Sequence, residues 1–361
     1  MNRQSVRRWS REMIDKLRAD FNRSADTHLL RLETPALPGI DLYLKDESAH
    51  PTGSLKHRLA RSLFLYGICS GWINADRPVV EASSGSTAVS EAYFAKLLGL
   101  PFVAVVPRGT SKQKIAAIER HGGRCHFVDD IMEMAPVARG LAERTGGHFL
   151  DQFTYAERVT GWRGNDNIAA SIFSQMSLER FPIPKWIVTS AGTGGTSATI
   201  GRYVRYRKVD TKVCVADPEN SVFYDCFTKC RRDFRLAAPS RIEGIGRPVC
   251  EPSFIPEVID RMLKIPDAAS LGAMRVLAEH LGRRPGGSTG TNFYAMCRLA
   301  AEMIRRGGTG SIVTLLCDGG ERYAGTYYDD AWLAAEGFDI DPYRLQVLTF
   351  LDSGQWRPVR A

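Results

Sequence analysis

Two open α/β domains are the fold that the sequence predicts, and three observations predict it. Short β-branched runs alternate with helical segments, which is the pattern of a sheet covered by helices. The alternation breaks off and restarts near the middle of the chain. With 361 residues, the chain is long enough for one large core but favours two.

The elements follow in order. The opening MNRQSVRRWSREMIDKLRADF is basic and lacks the apolar centre of a secretory signal. Its portion VRRWSREMIDKLRADF reads as an amphipathic helix, packed on a partner subunit or on its own chain. PTGSLKHR (51–58) sets Lys56 just after a turn, where an apolar segment begins. VVEAS (79–83) is a strand leading into a Gly/Ser turn, and residues 86–99 form a helix. A strand at 101–107, a helix at 111–123 ended by glycines and RCHFVDD (124–130) complete a βαβαβ unit. KWIVTSAGTGGTS (185–197) restarts the pattern with a strand and a glycine turn. A helix, the strand KVCVADP (212–218) and the buried strand of GSIVTLLCDGGERY (310–323) follow. The domains divide at 1–155 and 156–361, with residues 28–45 able to pack with the second. The segment after about Tyr323 reads as an appendage. A ligand is expected in the cleft between the domains, outside the carboxyl ends of the strands.

Composition excludes several classes. The apolar stretches SLFLYGICSGWI and LLGLPFVAVVP are too short and too broken to span a bilayer, so a cytoplasmic protein is expected. The eight cysteines form no CxxC pair, which argues against a disulfide framework and against a metal site. Cys226 and Cys230, four apart, are expected to share a helix face, and the thiols to be buried or half-buried. The net charge of +8 gathers in the N-terminal arm, RYVRYRK (202–208) and KCRRDFR (229–235). No nucleic-acid motif accompanies it, so a solvated face or attraction of an anionic substrate is the better reading.

Three turns carry the chemistry. TSAGTGGTS (189–197) follows a strand and opens a helix, so its backbone N–H groups can close around a phosphate, with Thr193 and Thr196 adding hydroxyls. Gly192-x-Gly194-x-x-Ser197, with Asp217 about 20 residues on, nearly matches a dinucleotide fingerprint and makes a nicotinamide oxidoreductase the rival reading. EASSGSTA (81–88) suits a carboxylate, or else Ser84 or Ser86 simply caps a helix. PGGSTGTN (285–292) places Ser288 before a helix beginning near Asn292.

KDESAHPTGSLKHR, ASSGSTA, GTGGT, EGIGR, GGSTGT and DGGERY occur in this order between about Leu30 and Tyr323. Together they resemble the fold-type-II pyridoxal-phosphate enzymes, the cysteine synthase and cystathionine β-synthase group, whose architecture is that of the tryptophan synthase β subunit. The resemblance implies pyridoxal 5'-phosphate as cofactor and Lys56 as the internal-aldimine lysine. It implies that Ser83, Ser84, Gly85 and Thr87, helped by Gln152, grip the substrate carboxylate. Gly192, Thr193, Gly194, Gly195 and Thr196 become the phosphate cup, Ser288 faces the pyridine nitrogen, and Gly244 of EGIGR lines the cleft. The chemistry agrees: a lysine must be neutral to attack an aldehyde, and burial lowers its pKa from about 10.4. Once displaced, its amine can remove the substrate α-proton. A hydroxyl at Ser288 leaves the ring a weaker electron sink and favours chemistry at Cβ.

Three positions depart from the usual cysteine synthase pattern. Ser86 stands where an asparagine usually meets the cofactor. His57 stands where aspartate is usual; adjacent helical residues point about 100° apart, which turns His57 away from the cofactor. The NPAN continuation after Gln152 is missing. The variant set looks most like a bacterial L-cysteine desulfhydrase subgroup. That implies β-elimination from L-cysteine, through an aminoacrylate, to sulfide, pyruvate and ammonia. The alternative is β-replacement on an O-activated serine. A homodimer acting on a small amino acid is implied, with no nucleic-acid or membrane partner.

Overall fold

The computed structural model describes residues 3–23, 26–164 and 166–359. The first part of the chain forms α1 (Arg3–Asn22), β1 (Leu29–Leu32), β2 (Ile40–Asp46), α2 (Lys56–Cys69), β3 (Val79–Ala82) and α3 (Ser86–Leu98). Then come β4 (Phe102–Pro107), α4 (Lys112–Arg120), β5 (Arg124–Val128), α5 (Met134–Thr145), β6 (His148–Phe149) and α6 (Gln152–Val159). The chain continues with α7 (Ile168–Met176), β7 (Trp186–Ser190), α8 (Gly195–Arg207), β8 (Lys212–Pro218), α9 (Phe223–Lys229) and β9 (Arg261–Ile265). It ends with α10 (Asp267–Leu281), α11 (Gly287–Arg305), β10 (Gly310–Leu316), α12 (Asp330–Ala335) and α13 (Asp341–Ser353). The described residues of Met1–Asp26 and His50–Thr160 form one compact unit, and those of Thr27–Ala49 and Gly161–Ala361 the other.

The first unit is built on a parallel sheet in the order β5-β4-β3-β6. Val79 and Val80 of β3 are buried, as both faces of a parallel sheet require. The N-terminal helix α1 packs on its own chain. Trp9, Met13 and Leu17 recur at helical spacing and close over Phe64 of α2 and Phe94 of α3. The α3 helix ends at Gly99, whose φ of +71° is the left-handed cap that glycine adopts without strain.

The second unit carries six strands in the order β1-β2-β10-β7-β8-β9, parallel except at the β1 edge. All seven residues of β10 are buried. Behind the sheet, α10 and α11 pack so closely that a Cβ on Gly290 would strike the Ser270 carbonyl. The segment following Tyr323 folds into this unit as well: Val347 and Phe350 of α13 are fully buried in the same core as Phe293.

Local details differ from expectation. The helix at Ser288 starts at Gly287, not near Asn292, because the extended Gly286 (φ −83°, ψ 169°) already serves as its cap. Cys226 is buried on α9, whereas Cys230 sits in the left-handed cap beyond it and is exposed, so the two share no face. Cys69 is exposed too. Among the described residues no helix is long and apolar enough to cross a membrane, and no His/Cys/Asp/Glu group is arranged to hold a metal.

Candidate active site

In the first unit the turn before Lys56 is built from its own polar groups. Gly53 takes φ +70°, and its amide donates to the His50 carbonyl at 2.7 Å. Ser54 Oγ accepts the Lys56 amide at 3.3 Å. Lys56 is the first residue of α2, half-buried, and no side chain caps the helix at Leu55. The first amides of the helix are taken up instead by the residues before it: Ser54 Oγ holds that of Lys56, the Ser54 carbonyl that of His57 at 3.1 Å and the Leu55 carbonyl that of Arg58 at 3.2 Å.

The SSGST turn links β3 to α3. Gly85 is the cap in extended conformation and carries no side-chain cap bond, so neither Ser84 nor Ser86 plays that part. Among the described residues the amides of Ser86, Thr87 and Ala88 have no acceptor. Unsatisfied amides at a helix start are what an anion binds. Thr87 Oγ1 donates to Gln152 Oε1 at 2.9 Å, which joins two of the expected carboxylate-binding residues.

Beneath this turn lies a pair of carboxyls. Glu81 accepts the Ala82 amide at 2.7 Å and the Gln152 amide at 3.3 Å. Glu81 and Glu91 are both fully buried. Burial pushes the Glu81 carboxyl up to about 8, against the pull of those amides. Glu91 is driven well above the usual range by burial and by the charge of Glu81. Two buried carboxyls that hold on to protons keep negative charge away from a turn suited to an anion.

In the second unit the turn from β7 to α8 forms the other anion site. Gly194 has φ +89°, and a Cβ there would lie 2.6 Å from Phe254 Cα and 2.7 Å from the Ser253 carbonyl. Thr193 Oγ1 accepts the Gly195 amide at 3.2 Å. The amides of Thr196 and Ser197 have no acceptor among the described residues, and the Ser253 hydroxyl is buried without a partner. A tight glycine cradle with spare donors fits a phosphate group. Asp217, which the dinucleotide reading would aim at a ribose, is fully buried and accepts the Tyr224 amide at 2.9 Å.

Ser288 is buried in the first turn of α11. That turn is tied to the end of β10, where Thr289 Oγ1 accepts the Cys317 amide at 2.9 Å and Asn292 Nδ2 lies 3.3 Å from Cys317 Sγ. The EGIGR segment is clamped by one phenol. Tyr327 OH donates to the Arg241 carbonyl at 2.8 Å and accepts the Glu243 amide at 2.9 Å, just before Gly244 with φ +84°.

Sequence reasoning missed Glu81, Glu91 and Tyr327. The signal for the first two was present, since VVEA and STAVSEAYFA place a carboxylate inside otherwise apolar or small-residue runs. Nothing local marks Tyr327.

Residues 22–318 match a family described as pyridoxal-phosphate dependent enzyme. The chain is 57% identical over 354 residues to L-cysteine desulfhydrase Cds1 of Mycobacterium tuberculosis, covering 97% of this chain and 96% of that protein. It is 28% identical over 317 residues to a putative cysteine synthase of Sinorhizobium fredii, covering 83% and 87%. Among solved structures, that of O-ureido-L-serine synthase superposes with a TM-score of 0.74 at 26% identity, covering 85% of this chain and 96% of that one.

Proposed function

We propose, from the premise that this chain belongs to the pyridoxal-phosphate dependent enzyme family and has its type II fold, that it converts L-cysteine and water to sulfide, pyruvate and ammonia. The observation that carries this reading is the 57% identity, along nearly the whole chain, to an L-cysteine desulfhydrase.

The residues take the following parts. Gly192, Thr193, Gly194, Gly195 and Thr196 hold the cofactor phosphate, and the spare donors of that turn support the assignment. Ser288 offers a neutral hydroxyl to the pyridine nitrogen. Ser86 replaces the usual asparagine beside the cofactor. Bound there, the cofactor supplies the electron sink that lets a proton leave Cα and a thiol leave Cβ. Lys56 carries the cofactor in the resting enzyme, and its Nζ then takes the α-proton. Ser83, Ser84, Gly85 and Thr87 of the turn, with Gln152, orient the substrate carboxylate: the open amides of Ser86 and Thr87 and the Gln152 side-chain N–H donate to it, and the Thr87 hydroxyl, donated to Gln152 Oε1, fixes that side chain. Gly244 leaves room beside the substrate.

Purified protein given cysteine alone should release sulfide and pyruvate in equal amounts. Turnover only when O-acetylserine and sulfide are both supplied would replace elimination by β-replacement, the reaction class favoured by the synthase relative. A colourless Lys56→Ala variant with full activity would end the assignment of Lys56. The same reading makes the protein a cytoplasmic homodimer without affinity for nucleic acid. Sedimentation velocity tests the dimer, and a salt-dependent DNA-binding assay tests the second point.

A further inference from the structure

His57, the neighbour of Lys56, sits in a buried polar network that the proposed chemistry does not use. Its ring is almost fully buried. Nδ1 lies 3.1 Å from Thr52 Oγ1, and Thr52 Oγ1 lies 2.9 Å from Ser90 Oγ. On the other side of the ring, Nε2 faces Asp20 Oδ2 of α1 at 3.9 Å, a charge contact rather than a hydrogen bond. Asp20 is itself held by Tyr93 OH at 2.7 Å and by the Arg23 guanidinium at 3.1 Å. His50 stacks on the ring at 4.9 Å, and Tyr93 and Phe94 close its remaining sides.

The Asp20 carboxylate selects the tautomer. A bare Nε2 lone pair turned toward an anion is repelled, so Nε2 carries the proton and Nδ1 accepts. Thr52 then donates to His57, and Ser90 donates to Thr52, which gives each of these protons one acceptor. The bonds tie together three elements. Thr52 belongs to the turn that presents Lys56. Ser90 lies four residues beyond Ser86 and three beyond Thr87, on the same face of α3 as the SSGST turn. Asp20 belongs to α1, and it precedes residue 22, where the family match begins.

We propose that His57 is a positioning residue: through Thr52 and Ser90 it locks the Lys56 turn to the helix of the SSGST turn, and Asp20 on the N-terminal helix holds it there. This rests on Lys56 being the cofactor-bearing lysine. It also assigns the N-terminal helix a part in the reaction, since α1 carries the carboxylate that orients the ring.

The test uses the holoenzyme and three variants: Thr52→Val and Asp20→Asn, which keep side-chain size, and His57→Phe, which keeps an aromatic ring but removes both nitrogens. Each should lower kcat by about 10- to 100-fold, the scale of a small misplacement of a reacting group. KM should change by less than threefold, roughly the size of effect expected when no direct substrate contact is lost. Borohydride fixation of the cofactor on Lys56, located by peptide mapping, should slow in step. Amide exchange should quicken in 51–58 and 84–90 but not in the second unit. His57→Asn, which leaves an acceptor where Nδ1 stood, should lose less than His57→Phe. Variants with wild-type kcat, fixation rate and exchange would overturn the proposal. So would losses that merely follow a lowered unfolding midpoint, or equal losses in His57→Asn and His57→Phe. If borohydride fails to label Lys56 in the wild type, the assignment of Lys56 falls and the proposal falls with it.

Discussion

Replacing Glu91 with glutamine should make the protein less sensitive to alkaline pH. Glu81 and Glu91 are fully buried in the first unit, and burial raises both carboxyls. Their folded-state pKa values lie above the unfolded ones, so the folded chain keeps protons that the unfolded chain releases. The stability this contributes is fully present below about pH 4.5 and is lost as pH rises through the folded value, about 8 for Glu81. Each carboxyl held protonated costs about 1.4 kcal/mol per pH unit across that window. Taken over its whole shift, Glu81 alone accounts for roughly 5 kcal/mol, an upper figure because buried sites relax. Glutamine at position 91 resembles the protonated acid in shape and cannot ionise. Between pH 5.5 and 7.5 the variant should therefore lose less stability than the wild type, by about 1.4 kcal/mol for each pH unit over which the wild-type Glu91 keeps its proton. In urea, with a slope of about 2 kcal/mol per molar, each such pH unit moves the midpoint by roughly 0.7 M. Midpoints are the quantity to compare, since a chain of two units need not unfold in one step. Parallel midpoint-against-pH curves for the two proteins, or an equal loss at every pH, would refute the reasoning.

Three further outcomes follow from named contacts. Gly194→Ala strains a positive φ and drives a methyl into the backbone of Ser253 and Phe254, so cofactor affinity should fall by about 10- to 100-fold in a fluorescence titration, the equivalent of 1–3 kcal/mol of strain. Phe350→Ala opens a cavity in the core of the second unit and should cost about 3–5 kcal/mol in denaturant unfolding, whereas a loosely attached C-terminal segment would show almost no change. Tyr327→Phe deletes the hydroxyl that holds both the Arg241 carbonyl and the Glu243 amide; about 1–3 kcal/mol of lost order in the Gly244 segment should raise KM for cysteine by several-fold.

The sequence by itself determined the α/β class, the order of strands and helices from 79 to 130 and from 185 to 218, and the three turns expected to handle charge. Those signals are local: apolar periodicity, and glycines where the backbone must turn or approach closely, as at Gly194. Helix starts were less legible. A serine in the right place reads as a cap, yet Gly85 and Gly286 are the caps, and Ser86 and Ser288 stand inside the helices; in α3 the amide of Ser86 and the two after it are left open. What only the tertiary structure decided is how distant polar residues meet. It sets the Gln152 amide on Glu81, 71 positions away, and Thr52 against Ser90, 38 positions away. It also turns α1 onto its own chain, so that Asp20 reaches His57. A buried hydroxyl, imidazole or carboxyl must find its partner among whatever the fold brings near it, and no local pattern in the sequence records that choice.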